Sequence, residues 1–252
     1  CIRDSYRVDP SGSVAPLAEL GGRAYWLSTK DGDLVAVLDD RVVALRGSSL
    51  LAFVDLPGEP CAPSSADLSG DRLYVARGPQ GLACVDLSSW SLAWSFNGTR
   101  HASWVSATPS LVVLAAEEGA YAFRPDGSSA WSVDLPSRAA RSLALGDVDG
   151  DGEADFAVAY GERVCALSSA NGSTLWAAAT GGLVSSLCPL GDVDGDGSPD
   201  FAASSGGGLY AFSSSGEVLW REAGLSAAVE LHPLPDANGD GSPDLLALAW
   251  GR

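Results

Sequence analysis

The sequence predicts an all-β fold of many short strands, and three observations predict it. Strong helix formers are scarce: of the 32 acidic residues 23 are Asp and 9 are Glu, Lys30 is the sole Lys among 15 basic residues, and Met is absent. Turn residues are plentiful, with 30 Gly and 14 Pro in 252 residues, and such residues punctuate strands more often than they extend helices. Short apolar runs then recur at a regular spacing. Hydrophobic residues make up 46% of the chain, ample for a folded core. No run of 18 apolar residues is present to span a bilayer.

The spacing is clearest toward the C-terminus. Gly146-Asp-Val-Asp-Gly-Asp-Gly-Glu-Ala-Asp-Phe156, Gly191-Asp-Val-Asp-Gly-Asp-Gly-Ser-Pro-Asp-Phe201 and Pro235-Asp-Ala-Asn-Gly-Asp-Gly-Ser-Pro-Asp-Leu245 align, with their first acids at Asp147, Asp192 and Asp236. An apolar strand follows each, then (in the first two) a second apolar strand, a Gly turn and a Leu-Trp ending at Trp176 and Trp220. The same order, without the acidic loop, runs backward through Leu111, Leu73 and Leu34. The first apolar anchors stand at 34, 73, 111, 156, 201 and 245, which is the arithmetic of a ring of four-stranded sheets, a six-bladed β-propeller.

The blades are expected at residues 21–58, 59–97, 98–137, 138–182, 183–226 and 227–252. The sixth copy lacks its second half, and the N-terminus carries that half: Tyr6-Arg-Val-Asp-Pro-Ser-Gly12 matches Tyr121-Ala-Phe-Arg-Pro-Asp-Gly127 in pattern. Residues 1–20 are therefore expected to supply the outer strands of the last blade, which removes open sheet edges. A stacked solenoid would have no use for complementary half-repeats at its ends.

Each acidic loop places oxygen side chains at its first, third, fifth and ninth positions and a backbone carbonyl at its seventh. The first loop offers Asp147, Asp149, Asp151 and Asp155 with the carbonyl of Glu153; the second offers Asp192, Asp194, Asp196 and Asp200 with that of Ser198. The third offers Asp236, Asn238, Asp240 and Asp244 with the carbonyl of Ser242. Ca²⁺ takes roughly six to eight hard oxygen ligands on flexible loops, whereas Mg²⁺ prefers a rigid octahedron with retained water. Carboxylates crowded on one turn repel without a cation. About three Ca²⁺ sites are expected, and three ions would move the formal charge from -17 to -11. A strand after the loop, and no Glu at the twelfth position, argue against an EF-hand.

These residues carry a resemblance. The three C-terminal copies resemble FG-GAP repeats, the calcium-binding propeller repeats of integrin α subunits. The ending at Ala166, Gly172 and Trp176 is similar to the tryptophan-docking repeat of pyrroloquinoline-quinone-like propellers. The resemblance implies a propeller with structural calcium, and it spans both adhesion modules and enzymes, so it fixes no function. In the N-terminal copies the loop has decayed to Lys30-Asp-Gly-Asp33 and Asp67-Leu-Ser-Gly-Asp71, where no calcium is expected.

A net charge of -17 disfavours nucleic acid and anionic membranes as partners, because both need basic surface. No phosphate-binding Gly-rich loop is present, and the two histidines, His101 and His232, stand alone at strand starts. Quinone enzymes of the similar family often use adjacent cysteines, which this chain lacks. Trp94, Trp131, Trp176 and Trp220 recur with the repeat and read as packing between blades; Trp26, Trp90, Trp104 and Trp250 fall off register and read as a contact surface.

Five cysteines without a Cys-x-x-Cys pair suit structural disulfides better than zinc. Cys61 with Cys84, and Cys165 with Cys188, have equal spacing, although the two copies are out of register: Cys84 aligns with Ala211 and Cys165 with Tyr210, on opposite faces. Cys1 is left over, to carry a lipid, bond to a neighbouring subunit or stay free. Asn97-Gly-Thr and Asn171-Gly-Ser match the glycosylation sequon, and Asn-Gly is also a hairpin turn signal.

The expected function is a secreted, extracellular or cell-surface calcium-binding propeller. It acts without catalysis, through protein partners or copies of itself, in adhesion or as a filament subunit. The alternative is a carbohydrate-active or quinone-dependent enzyme with its site at the propeller axis, and a third reading is one domain of a larger adhesin.

Overall fold

The computed structural model describes the chain except residues 1, 9–13, 226–227, 238, 240–242 and 250–252, and except the side chains of 2–8, 14–22, 228–229 and 249. Among the described residues there is no α-helix, and so no helix long and apolar enough to cross a membrane. The only helical turn described is 3₁₀, at Ala223–Leu225.

Strands β1 (Ile2–Val8) and β2 (Val14–Ala24) pair antiparallel as a two-stranded sheet. Five four-stranded sheets follow, each in simple sequence order. The first holds β3 (Trp26–Lys30), β4 (Asp33–Val37), β5 (Arg41–Arg46) and β6 (Ser49–Asp55). The second holds β7 (Ser65–Ser69), β8 (Arg72–Ala76), β9 (Leu82–Asp86) and β10 (Ser91–Phe96). The third holds β11 (Ala102–Ala107), β12 (Val112–Ala116), β13 (Gly119–Phe123) and β14 (Ser129–Asp134). The fourth holds β15 (Ala139–Ala144), β16 (Phe156–Tyr160), β17 (Arg163–Leu167) and β18 (Thr174–Ala179). The fifth holds β19 (Val184–Gly191), β20 (Asp200–Ser205), β21 (Gly208–Phe212) and β22 (Val218–Glu222). The chain closes on a second two-stranded sheet of β23 (Ala228–Leu234) and β24 (Asp244–Ala249).

The two middle strands of a sheet are apolar on both faces because neighbouring sheets cover both. Thus β12, β20 and β21 are buried throughout, while the last strands β18 and β22 are largely exposed. The chain divides into two compact units, residues 1–105 and 106–252, with the division inside β11. In the first unit a core of Val35, Val37, Leu73, Val75 and Val85 joins the first two sheets, and Trp26 and Trp90 pack against it. Those two tryptophans are therefore core-side packing residues and not the contact surface their off-register positions suggested; Trp250 lies outside the described residues. In the second unit Ala157, Ala159, Phe201, Ala203 and Phe212 join the fourth and fifth sheets. There Phe201 stacks on Phe212 at 5.4 Å and on Trp176 at 6.1 Å.

First strands of adjacent sheets are stapled by buried serines. Val105 N–H donates to Ser65 Oγ at 2.8 Å, Ser106 Oγ donates to the Ser142 carbonyl at 2.8 Å, and Leu231 N–H donates to Ser186 Oγ at 3.3 Å. In the first unit the guanidinium of fully buried Arg77 donates to the carbonyls of Pro57, Asp39 and Glu59, which pins the connection between the first two sheets.

The disulfide set expected from the sequence does not form among the described cysteines: Cys61, Cys84, Cys165 and Cys188 are all free. The reason is geometric. Cys61 donates its S–H to the Arg77 carbonyl at 3.2 Å, while Cys84 lies across from Tyr74 inside the second sheet. Cys165 and Cys188 sit in different sheets, on β17 and β19. Burial pushes the thiols of Cys84, Cys165 and Cys188 up to about 11, 12 and 11, so they behave as small apolar fillers. Cys1 lies outside the described residues.

Candidate metal centre

The acidic loops join the first and second strands of their sheets, β15 to β16, β19 to β20 and β23 to β24. In each, the first carboxylate folds the loop back over its own backbone. Asp147 Oδ1 accepts N–H bonds from Gly150 at 2.7 Å and Asp151 at 3.0 Å, and its Oδ2 accepts one from Gly152 at 2.8 Å. Asp192 repeats this with Gly195 at 2.7 Å and Gly197 at 2.9 Å, and Asp236 with Gly239 at 2.6 Å. The curl needs left-handed backbone at Gly152 and Gly197, with φ of 93° and 91°. Gly241, which the sequence assigns the same place, lies outside the described residues.

The last carboxylate anchors the loop to the sheet. Asp155, buried, accepts N–H bonds at Oδ2 from Val148 (2.8 Å) and Asp149 (3.3 Å), and at Oδ1 from Ser169 (2.8 Å). Asp244 Oδ2 accepts from Ala237 at 2.6 Å. Asp200 matches Asp155 on one side only. Its Oδ2 accepts from Val193 at 2.7 Å and Asp194 at 3.3 Å, but its Oδ1 is buried and has no partner. Burial raises the pKa of this carboxyl above its ordinary value, with the charges of Asp194 and Asp196 adding to the rise and the two loop N–H bonds opposing it.

The structure brings Asp147, Asp149 and Asp151 together in the first loop, each with an oxygen within 4.8 Å of the others, and Asp192, Asp194 and Asp200 likewise in the second. Asp196 turns aside to accept the Ser198 N–H at 2.7 Å, and Asp151 accepts that of Glu153 at 2.8 Å. The Glu153 carboxylate is held by Ser110 Oγ at 2.6 Å. In the third loop Asp236 and Asp244 are described, while Asn238, Asp240 and Ser242 lie outside the described residues.

Sequence reasoning missed the partners that come from elsewhere in the chain. Ser168 Oγ donates to Asp149 Oδ2 at 2.8 Å, and Ser169 N–H reaches Asp155, both from the β17–β18 turn. No local motif signals them. The same turn seats a tryptophan from the sheet before it: Trp131 Nε1–H donates to the Ser169 carbonyl at 2.8 Å. Trp176 does likewise to Ser214 in the β21–β22 turn, at 2.8 Å.

The family described as outer membrane protein assembly factor BamB matches residues 90–240, more than half of the chain. The chain belongs to that family. No curated protein matches it in sequence. Among solved structures, Sqt1 of Saccharomyces cerevisiae is similar at a TM-score of 0.64 and 14% identity, over 80% of this chain and 61% of that one. The chain thus spans less than two thirds of the length of Sqt1. BBS1N, crystallised in complex with ARL6DN, is similar at a TM-score of 0.65 and 13% identity, over 90% of this chain and 75% of that one. The computationally designed Ika8 protein gives 0.60 and 13%, over 94% of this chain and 87% of that one. At these identities the likeness is one of fold: the BamB-family chain is a β-propeller built of repeated four-stranded sheets.

Proposed function

We propose that the chain is a calcium-stabilised β-propeller that works as a non-catalytic protein-interaction module at the cell surface or outside the cell. In this reading there are six blades, and residues 1–20 complete the last one. The observation that carries the calcium assignment is Asp200, whose carboxylate joins those of Asp192 and Asp194 and keeps one buried oxygen, Oδ1, without a hydrogen-bond partner. A buried anion without a donor is costly, and hard oxygens in this number suit Ca²⁺. The same ligand pattern in all three loops supports FG-GAP-like sites at Asp147–Asp155, Asp192–Asp200 and Asp236–Asp244.

The interaction role is supported by the family's description as an assembly factor and by the BBS1N structure in complex with ARL6DN. A filament of copies is the self-associating form of the same reading. Asn97 and Asn171 are its glycan acceptors, and Cys1 its lipid or disulfide position. The test is melting and light scattering in calcium and in chelator. A rise in melting temperature with calcium that Asp192→Ala abolishes supports the sites, and melting that is identical in both buffers overturns them. A 25.7 kDa particle in calcium supports a monomeric module, and an assembly that chelator dissolves supports the filament.

A further inference from the structure

Between the third and fourth sheets, at the end that carries the acidic loops, lies an open cavity of about 220 Å³. Its walls come from the β11–β12 connection, the β13–β14 turn, the first acidic loop and the β17–β18 turn, all within the second compact unit. The repeat explains why it is there. Pro199 of the second acidic loop lies on Gly146 at the start of the first, and Pro243 of the third lies on Gly191 of the second. The first loop has Ala154 at that position, and the third sheet has no acidic loop for it to rest on. The space that a proline fills at the later junctions is open at this one.

The cavity gathers opposite charges without pairing them. Arg124, exposed, makes one long hydrogen bond, to the Ser129 carbonyl at 3.4 Å, and no ion pair among the described residues. Glu153 accepts the Ser110 hydroxyl at Oε2, at 2.6 Å, and its Oε1 accepts no bond among the described residues. Asp151 adds a second carboxylate, and the buried Ser169 hydroxyl in the wall has no hydrogen-bond partner. Leu111 supplies an apolar surface.

Such a cavity calls for a ligand that accepts at one point and donates at another. An anion would satisfy Arg124 and be repelled by Asp151 and Glu153; a cation would do the reverse. A zwitterion answers both signs, but ion pairs at solvent-exposed groups are weak and screened by salt. A neutral diol accepts from the guanidinium and donates to the carboxylate, and hydrogen bonds to charged groups are the stronger kind.

We propose that this cavity binds a neutral saccharide, with a vicinal diol set between Arg124 and Glu153 and a C–H face of the ring against Leu111. Its size suits one sugar ring at the end of a glycan. This names a partner class for the interaction module proposed above, and it makes no use of calcium, since the Glu153 carboxylate is not among the expected ligands.

The test is saturation-transfer NMR and calorimetry on the full chain in calcium. The probes are glucose, galactose, mannose, fucose and N-acetylglucosamine, with alanine and acetate as the charged alternatives. At least one sugar is expected to bind saturably, to be insensitive to salt, and to weaken by about tenfold or more in Arg124→Ala and in Glu153→Ala. Both side chains are exposed, so urea midpoints should stay near wild type, and Glu217→Ala, which removes an exposed carboxylate from the β21–β22 turn, should leave binding unchanged. No binding of any sugar, binding indifferent to both variants, or salt-sensitive binding of alanine or acetate in place of sugar overturns the inference. Calcium-dependent melting without sugar binding overturns it and keeps the calcium-stabilised module; sugar binding with melting indifferent to calcium keeps it and overturns the calcium sites.

Discussion

Replacing Asp200 by Asn distinguishes a loop that holds a cation from one that merely turns, with Asp155→Asn as the control. Each carboxylate accepts two loop N–H bonds at Oδ2, but Asp155 Oδ1 also accepts the Ser169 N–H, whereas Asp200 Oδ1 accepts nothing. An Asn at 155 must turn its NH₂ toward one of these donors, which costs about 2–3 kcal/mol. An Asn at 200 keeps both loop bonds through its oxygen and puts its NH₂ where Oδ1 has no partner to lose. It also removes a charge. Unit charges at the 4.8 Å limit of this cluster repel by about 3 kcal/mol at an effective dielectric of about 20, and solvent around the exposed Asp192 and Asp194 reduces that to about 1 kcal/mol. In chelator, Asp200→Asn should therefore stabilise by about 1 kcal/mol while Asp155→Asn destabilises by about 2. With calcium the sign at Asp200 reverses, because the wild type gains about 2.7 kcal/mol at a hundredfold excess over Kd and the variant, short of one anionic ligand, gains less. Urea unfolding followed by tryptophan fluorescence in both buffers reads these differences. Equal destabilisation by Asp200→Asn in calcium and in chelator would refute the reasoning.

Four further outcomes are expected. Gly172→Ala should cost about 2–3 kcal/mol, since its β-carbon would meet Trp131 at 2.7 Å and φ is 74°, whereas Gly150→Ala, with nothing within 4 Å, should cost only the strain of a left-handed residue, about 1 kcal/mol; urea midpoints compare them. Ser65→Ala leaves the buried Val105 N–H without its acceptor and should lower stability by about 1–3 kcal/mol in thermal melts. The raised thiols are neutral in the folded state when the unfolded chain has already ionised. Their stabilisation is therefore complete below the ordinary value of 9.0 and lost as pH rises toward 11–12, and Cys165→Ala should flatten the alkaline fall of the urea midpoint. Trp131→Phe and Asp155→Asn, which act on the carbonyl and the N–H of Ser169, should be non-additive by at least about 0.5 kcal/mol in a double-mutant cycle.

Much of the fold was legible because each repeat writes the same burial pattern. The apolar anchors at 34, 73, 156 and 201 fall within the second strands of four-stranded sheets, where both faces are covered, so those strands read as continuous apolar runs, and the anchor at 245 falls within β24, whose Leu246 and Leu248 are exposed. The loop carboxylates were legible for a different reason: their partners lie within a few residues, and local turn chemistry is a sequence-local property. What was not legible is whatever depends on the distance between sheets. The serine staples join residues some forty positions apart, and nothing separates Ser65 from any other serine in the chain. Equal spacing suggested cysteine pairs, but spacing carries no information about which face of a strand a thiol occupies. Trp26 and Trp90 fell off the repeat register and still joined the core, because a core is filled by volume and not by period.

The β17–β18 turn shows how a loop chemistry and a packing device come to depend on each other. Its Ser169 offers N–H to the carboxylate of the acidic loop in its own sheet and carbonyl to the tryptophan of the sheet before, while Ser168 binds a second acid of the same loop. One residue thus sits between the two, and whatever stiffens the loop also fixes the seat of Trp131. In the fifth sheet the tryptophan side is complete, Trp176 on Ser214, yet the acid side stops at the unpartnered Asp200 Oδ1. The second loop thus leaves uncovered at its base the carboxylate oxygen that a backbone N–H covers in the fourth sheet, and that difference is what Asp200→Asn and Asp155→Asn are expected to read out.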